Sequence, residues 1–249
     1  MKPLKETAMY KQLISIILFS LIIGCQAPQD GYEVEYQVHG KLMEIMQQNQ
    51  LQARITVDEN QLNGTTYGLG AIEGLTGEIL ISAGKIFTSV ATPDSILIDE
   101  PGRVAAVLLV TAEVNTWQKV EAEEAVPDMD ELARLIANKA EQVGLSSSGV
   151  VPIRIIASSS SIEWHIINAS LAQEQNHQAY KASGRSGTIG DQPVEITGFY
   201  SKNHEGVFTH HGSFLHLHVI TADGQLMGHV DELHFNRTWT LFLPKADKL

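Results

Sequence analysis

The stretch Phe214-Leu215-His216-Leu217-His218-Val219-Ile220-Thr221-Ala222-Asp223-Gly224-Gln225-Leu226-Met227-Gly228-His229-Val230 decides how this chain folds. From Leu215 to Val219 it alternates, with His216 and His218 on one face of a strand and Leu215, Leu217 and Val219 on the other. Asp-Gly between two strand-like runs is a strong short-range hairpin signal. With Asp223 and Gly224 in the turn, His218 falls directly opposite His229, on the same face of the hairpin. His216 then falls opposite Asp231, a carboxylate placed to act as a fourth ligand or as a partner behind one.

Three imidazoles converging on one point are a donor set for Zn²⁺, and also for Ni²⁺, Cu²⁺ or Fe²⁺. A site with three protein ligands keeps a position open for water or substrate, the pattern of catalytic rather than structural metals. The convergence of the three rings depends on register. A slip of one residue turns His229 to the opposite face.

The N-terminus reads as a processing signal. Lys2, Lys5 and Lys11 precede the apolar run Leu13 to Ile23, too short to span a bilayer and fit for a signal-peptide core. It ends in Gly24-Cys25, which resembles a bacterial lipoprotein cleavage box, and Cys25 is the chain's only cysteine. Residues 1–25 are therefore expected to be a lipoprotein signal, and residues 26–33 a short tether. The protein is expected to be exported and held at the membrane by an N-terminal lipid. Residues 1–24 carry three Lys and one Glu, so removing them takes the formal charge from −12 to −14. A chain this acidic, without basic clusters, argues against nucleic acid as a partner.

The remaining chain suits one large domain or two packed lobes, about 34–145 and 146–245. Val38, Leu42, Ile45 and Met46 recur at helical spacing, which predicts a helix over 36–47. Strand-like runs follow at 66–72, 78–82, 85–90, 96–99 and 104–114. Asp128 opens a second helix with a stripe of Leu132, Leu135, Ile136, Ala140 and Val143, stopped by Gly144. Strands resume at 151–157, 162–167, 194–200, 214–221, 226–235 and 238–243. The fold class is a β-rich α+β protein, with a mixed-sheet lobe followed by an antiparallel, barrel-like lobe that carries the histidines.

Other polar residues are open to two readings. Glu78 opens a strand, where a carboxylate is ordinarily a solvated edge. Arg154 sits among Ile153, Ile155 and Ile156, and a guanidinium buried there needs an anionic partner. Glu163 and His165 share a strand face, with nothing in the sequence tying them to the metal. His204, His210 and His211 lie in a polar loop and read as solvated. His234 has the opposite parity from His229 and faces away.

Taken in order, several pieces resemble the α-acetolactate decarboxylase family. They are Tyr67-Gly68-Leu69-Gly70-Ala71, Leu75-Thr76-Gly77-Glu78-Ile79-Leu80, Ile153-Arg154-Ile155, Ile196-Thr197-Gly198-Phe199, and the His216, His218, His229 set. The similarity spans roughly 34–245. It implies that the three histidines hold zinc or another divalent metal, and that Glu78 and Arg154 are catalytic residues lining the site. It implies a small 2-hydroxy-3-keto acid as substrate, 2-acetolactate, converted to acetoin and CO₂, and it allows a homodimer. A Lewis-acid metal would stabilise the charge left as CO₂ departs. Arg154 would hold the carboxylate bidentately and Glu78 would return a proton to carbon. Two other readings stay open: a cupin-like metal enzyme, and a lipoprotein that binds metal without turnover.

Overall fold

The computed structural model describes residues 31–121, 124–158, 160–236 and 239–246. The signal segment, Cys25 and most of the tether lie outside them. Residues Gly31–Leu249 form one compact unit. Among the described residues no helix is long and apolar enough to cross a membrane.

The first seven strands build one sheet: β1 (Tyr36–His39), β2 (Ile55–Asp58), β3 (Thr66–Ile72), β4 (Glu78–Ser82), β5 (Lys85–Ala91), β6 (Ile96–Asp99) and β7 (Arg103–Glu113). Their order is β1-β7-β3-β4-β5-β6, with β2 also on β7. The other eight build the second sheet: β8 (Trp117–Val120), β9 (Val151–Ala157), β10 (Ser160–Ile166), β11 (Arg185–Ile189), β12 (Val194–Tyr200), β13 (Leu215–Thr221), β14 (Met227–Phe235) and β15 (Trp239–Pro244). Their order is β11-β10-β14-β13-β12-β9-β15-β8. The chain changes sheet between Glu113 and Trp117. The β-rich α+β class is what the structure has. Both sheets pair antiparallel throughout the described strands, the first included, and the second stays open between β11 and β8 rather than closing into a barrel.

Among the described residues there are three α-helices: α1 (Leu42–Gln48), α2 (Met129–Gln142) and α3 (His177–Ser183). The helix expected over 36–47 is half strand. Gly40 takes φ +84, which a continuous helix cannot hold, and Tyr36–His39 pair with β7 instead. Helix α2 starts where Asp128 accepts from Glu131 N, and it buries Leu132, Leu135, Ile136 and Ala140. It packs against β12 and β14.

The second sheet therefore has two distinct faces. Leu217, Val219, Ile153, Ile155 and Ile196 enter the larger core with α2. The opposite face, which carries the histidines, turns toward β4 of the first sheet. Asn168 Nδ2 donates to the Ala91 carbonyl, and Arg185 donates to the carbonyls of Thr92 and Pro93, pinning β10 and β11 against the end of β5. The far side of the first sheet holds its own small core of Val57, Ile79, Ile81, Ile86, Val104 and Leu109. Each such side chain contributes about 1.5–3 kcal/mol on full burial. That core keeps β4 rigid, and β4 carries both Glu78 and the Ile79 carbonyl to the histidines.

Candidate metal centre

The hairpin has the register its turn dictates. Gly224 takes φ +67, Asp223 Oδ1 accepts from Thr221 Oγ1 and Gln225 N, and Thr221 N donates to the Leu226 carbonyl. Counting inward, His218 pairs with His229. The ring centroids of His216, His218 and His229 lie 5.0–5.6 Å apart, and one nitrogen from each falls within 4.8 Å of the others. All three residues are buried.

These rings suit a metal by their protonation as well as their position. Burial is the main force holding all three below the ordinary imidazole pKa, His218 down to about 3. Neutral rings present lone pairs. His218 Nδ1 is 2.9 Å from the Ile79 carbonyl and donates to it, which leaves Nε2 as the acceptor facing the cluster. His218 Nε2 and His216 Nδ1 are buried without any hydrogen-bond partner. Buried acceptors without a donor are rare in folded proteins, and a cation answers both at once.

Glu78 completes the cluster from the first sheet. Its Oε2 is 3.6 Å from His218 Nε2, and Oε1 accepts from Ile167 N at 3.1 Å. At 4% exposure, burial raises its carboxyl to about 7, opposed in part by His165 and the Ile167 N–H. With His218 neutral, the 3.6 Å approach is a polar contact rather than an ion pair.

Two further imidazoles stand beside the three. His165 pairs with His229 across β10 and β14, ring centroids 4.8 Å apart, so the expectation that nothing ties it to the cluster is corrected. The link requires two strands 64 positions apart to pair, which no local pattern encodes. His210 lies 5.4 Å from His229 and lines the cavities instead of standing in solvent. The rest of its loop is elsewhere: His204 bonds Ser201 and stacks on Phe208, and His211 bonds Glu205 at the surface.

Asp231 does not oppose His216. Glu163 pairs with Glu232 and Trp164 with Val230, so Asp231 is the extra residue of a β-bulge, re-aimed by it. Its carboxylate accepts from His165 Nδ1 at 2.9 Å and Lys181 Nζ at 2.7 Å. His165, His229 and Asp231 form a second group of close ligand atoms.

Arg154 shares the histidines' face and row: Arg154 opposes Thr197, which opposes His218. One strand, β12, lies between them, so two inter-strand spacings of roughly 10 Å in all separate Arg154 from His218. Its guanidinium donates through two nitrogens to Glu195 at 2.7 and 2.8 Å and lies over Phe242. The anionic partner that a half-buried arginine needs is Glu195, and the structure does not bring Arg154 to the cluster.

Two cavities meet at the histidines. One is a small apolar chamber lined by Leu42, Ile45, Met46, Leu75, Glu78 and His216 among others. The other, about 250 Å³, is lined by His165, Lys181, His210, Ser213, His229 and Asp231 among others. Helix α1 roofs the first and is tied to α3 where Tyr180 Oη donates to Asn49 Oδ1 at 2.6 Å.

A model of the alpha-acetolactate decarboxylase family matches residues 36–248. Three solved structures are similar in fold. A Staphylococcus aureus protein of unknown function, described as similar to alpha-acetolactate decarboxylase, aligns with TM-score 0.65 at 16% identity, covering 84% of each chain. Alpha-acetolactate decarboxylase from Bacillus subtilis strain 168 aligns with TM-score 0.64 at 13% identity, covering 85% of this chain and 86% of that one. Acetolactate decarboxylase from Bacillus subtilis subspecies spizizenii gives 0.62 at 15%, with 85% and 86% covered. No curated protein matches the sequence.

Proposed function

This chain belongs to the alpha-acetolactate decarboxylase family, and from that premise we propose that it converts 2-acetolactate and a proton to acetoin and CO₂, using zinc held by His216, His218 and His229. The observation that carries this reading is the meeting of three buried, neutral imidazoles with one buried carboxyl group, Glu78, at the junction of two cavities. A bound zinc ion would supply Lewis-acid stabilisation of the charge that develops on the substrate's hydroxyl and carbonyl oxygens. In the metal-free cluster burial disfavours the Glu78 anion. The Ile167 N–H holds its Oε1, which leaves Oε2, 3.6 Å from His218 Nε2, as the oxygen that would return a proton to the substrate. Leu42, Ile45, Met46 and Leu75 give the chamber an apolar lining.

We also propose that the mature chain begins at an acylated Cys25 and works on the outer side of a membrane; the support is the short apolar run before Gly24-Cys25. A second reading, metal binding without turnover, draws on Arg154, which is committed to Glu195. An assay separates the two. The zinc-loaded protein should release acetoin from acetolactate, and Glu78→Gln should lower kcat/KM by at least roughly 10²-fold while the metal stays bound. A wild-type protein that holds its metal and makes no acetoin would replace the enzyme reading with the binding one.

A further inference from the structure

The decarboxylase reading needs a group to hold the substrate's carboxylate, and the arginine expected for that task is bound elsewhere. Glu195 takes two of the Arg154 nitrogens, and Arg154 borders neither cavity at the histidines. Among the described residues that line either cavity, Lys181 is the one lysine or arginine. It comes from α3 and reaches the chamber that also exposes His229, His165 and Ser213.

The position of Lys181 is built rather than incidental. Asp231 Oδ1 accepts from Nζ at 2.7 Å, and the same carboxylate accepts from His165 Nδ1 at 2.9 Å. The β-bulge that makes Asp231 the unpaired residue of β14 aims it at both donors. Thus one carboxylate locks the ammonium beside the imidazole whose ring lies 4.8 Å from that of His229. An ammonium has three donors, and Asp231 uses one of them. The side chain keeps 46% of its exposure, so the remaining donors are reachable by an anion entering the chamber.

We propose that Lys181, fixed by Asp231, is the residue that recognises the substrate's carboxylate, in the polar chamber next to the metal ligands. This rests on the decarboxylase reading and adds the anion subsite to it. The ligand class is a small 2-hydroxy acid whose carboxylate points toward α3 while its oxygens face the histidines. Asp231 is a positioning residue in this scheme and His165 forms the wall between the two subsites.

The test uses the zinc-loaded full chain in detergent micelles and two probes measured by calorimetry. One is 2-hydroxy-2-methylpropanoate, which keeps the hydroxyl and carboxylate. The other is acetoin, which keeps the hydroxyl and carbonyl and has no charge. Lys181→Met should weaken the acid at least roughly tenfold, the range for a charged hydrogen bond, and leave acetoin within about twofold, with metal content unchanged. Lys181→Arg should restore the acid, and Asp231→Asn should weaken it with acetoin spared. Raised salt should weaken the acid in the wild type more than in Lys181→Met. Equal loss of both probes in Lys181→Met, or unchanged acid binding there, overturns the assignment. So does a selective loss of the acid in Arg154→Met with Lys181→Met unaffected. A wild-type protein that turns over acetolactate while failing these binding splits keeps the enzyme reading and refutes the subsite. A wild-type protein with neither turnover nor binding removes both.

Discussion

Replacing Glu78 with Gln in the metal-free protein gives a direct measure of the strain its carboxyl adds to the cluster. The folded carboxyl titrates at about 7 against an ordinary 4.5, and the first cause is burial. A folded pKa above the unfolded one means that the protonated form is the better folded form. The stability it contributes is complete below 4.5 and is lost as pH rises through 7. The shift corresponds to about 3 kcal/mol in total, and roughly 2.5 kcal/mol of that falls between pH 5 and 8. Gln keeps an oxygen for the Ile167 N–H and cannot ionise. The neutral histidines act in the opposite sense, since their depressed pKa values add stability as pH rises toward 6.5. That contribution is common to both proteins and cancels in their difference. Equilibrium urea denaturation of chelator-treated protein at pH 5 and pH 8 is the assay. The advantage of Glu78→Gln over wild type should grow by roughly 2.5 kcal/mol between the two pH values. Parallel pH profiles would show that the carboxyl is not desolvated in solution, and the account of Glu78 as a proton holder would fall with it.

Three further outcomes are expected. His218→Ala should lose bound zinc by elemental analysis, and its melting temperature should no longer rise on zinc addition, because a ligand that binds only the native state stabilises it; retained stoichiometric metal would exclude the three-histidine site. Gly224→Val should cost roughly 1–2 kcal/mol in urea denaturation, from the left-handed φ alone, since a Cβ there meets nothing within 4 Å; an unchanged midpoint would mean that the turn relaxes freely. Cys25→Ser should move the protein from the membrane to the soluble fraction and remove the mass of the acyl chains; unchanged fractionation would sink the lipid-anchor proposal.

Much of the fold was legible because it is local. Strands β3, β4, β6, β9 and β12 lie at the residues their alternation and apolar runs indicate, and α2 follows its stripe and its Asp128 cap. Strands β1, β2, β8 and β11 were not, being short or partly exposed and paired to distant partners. By itself the sequence determined the three-histidine pair of strands, because a tight turn sets register and register sets face. It could also nominate Glu78, through a family resemblance.

The tertiary structure alone decided the rest. Ile79 and Glu78 reach the histidines only because one sheet lies against the other, and His165 only because β10 pairs with β14. The bulge at Asp231 breaks the simple alternation, so counting along β14 sends that carboxylate to the wrong partner. Arg154 shows the same limit from the other side. Its chemistry demanded an anion, and the sequence could not say that Glu195, across the neighbouring strand, would supply it. Periodicity and turns act over a few residues and are written in order along the chain. Which charged group meets which depends on loop closure and sheet packing over tens of residues, where the sequence carries no periodic mark.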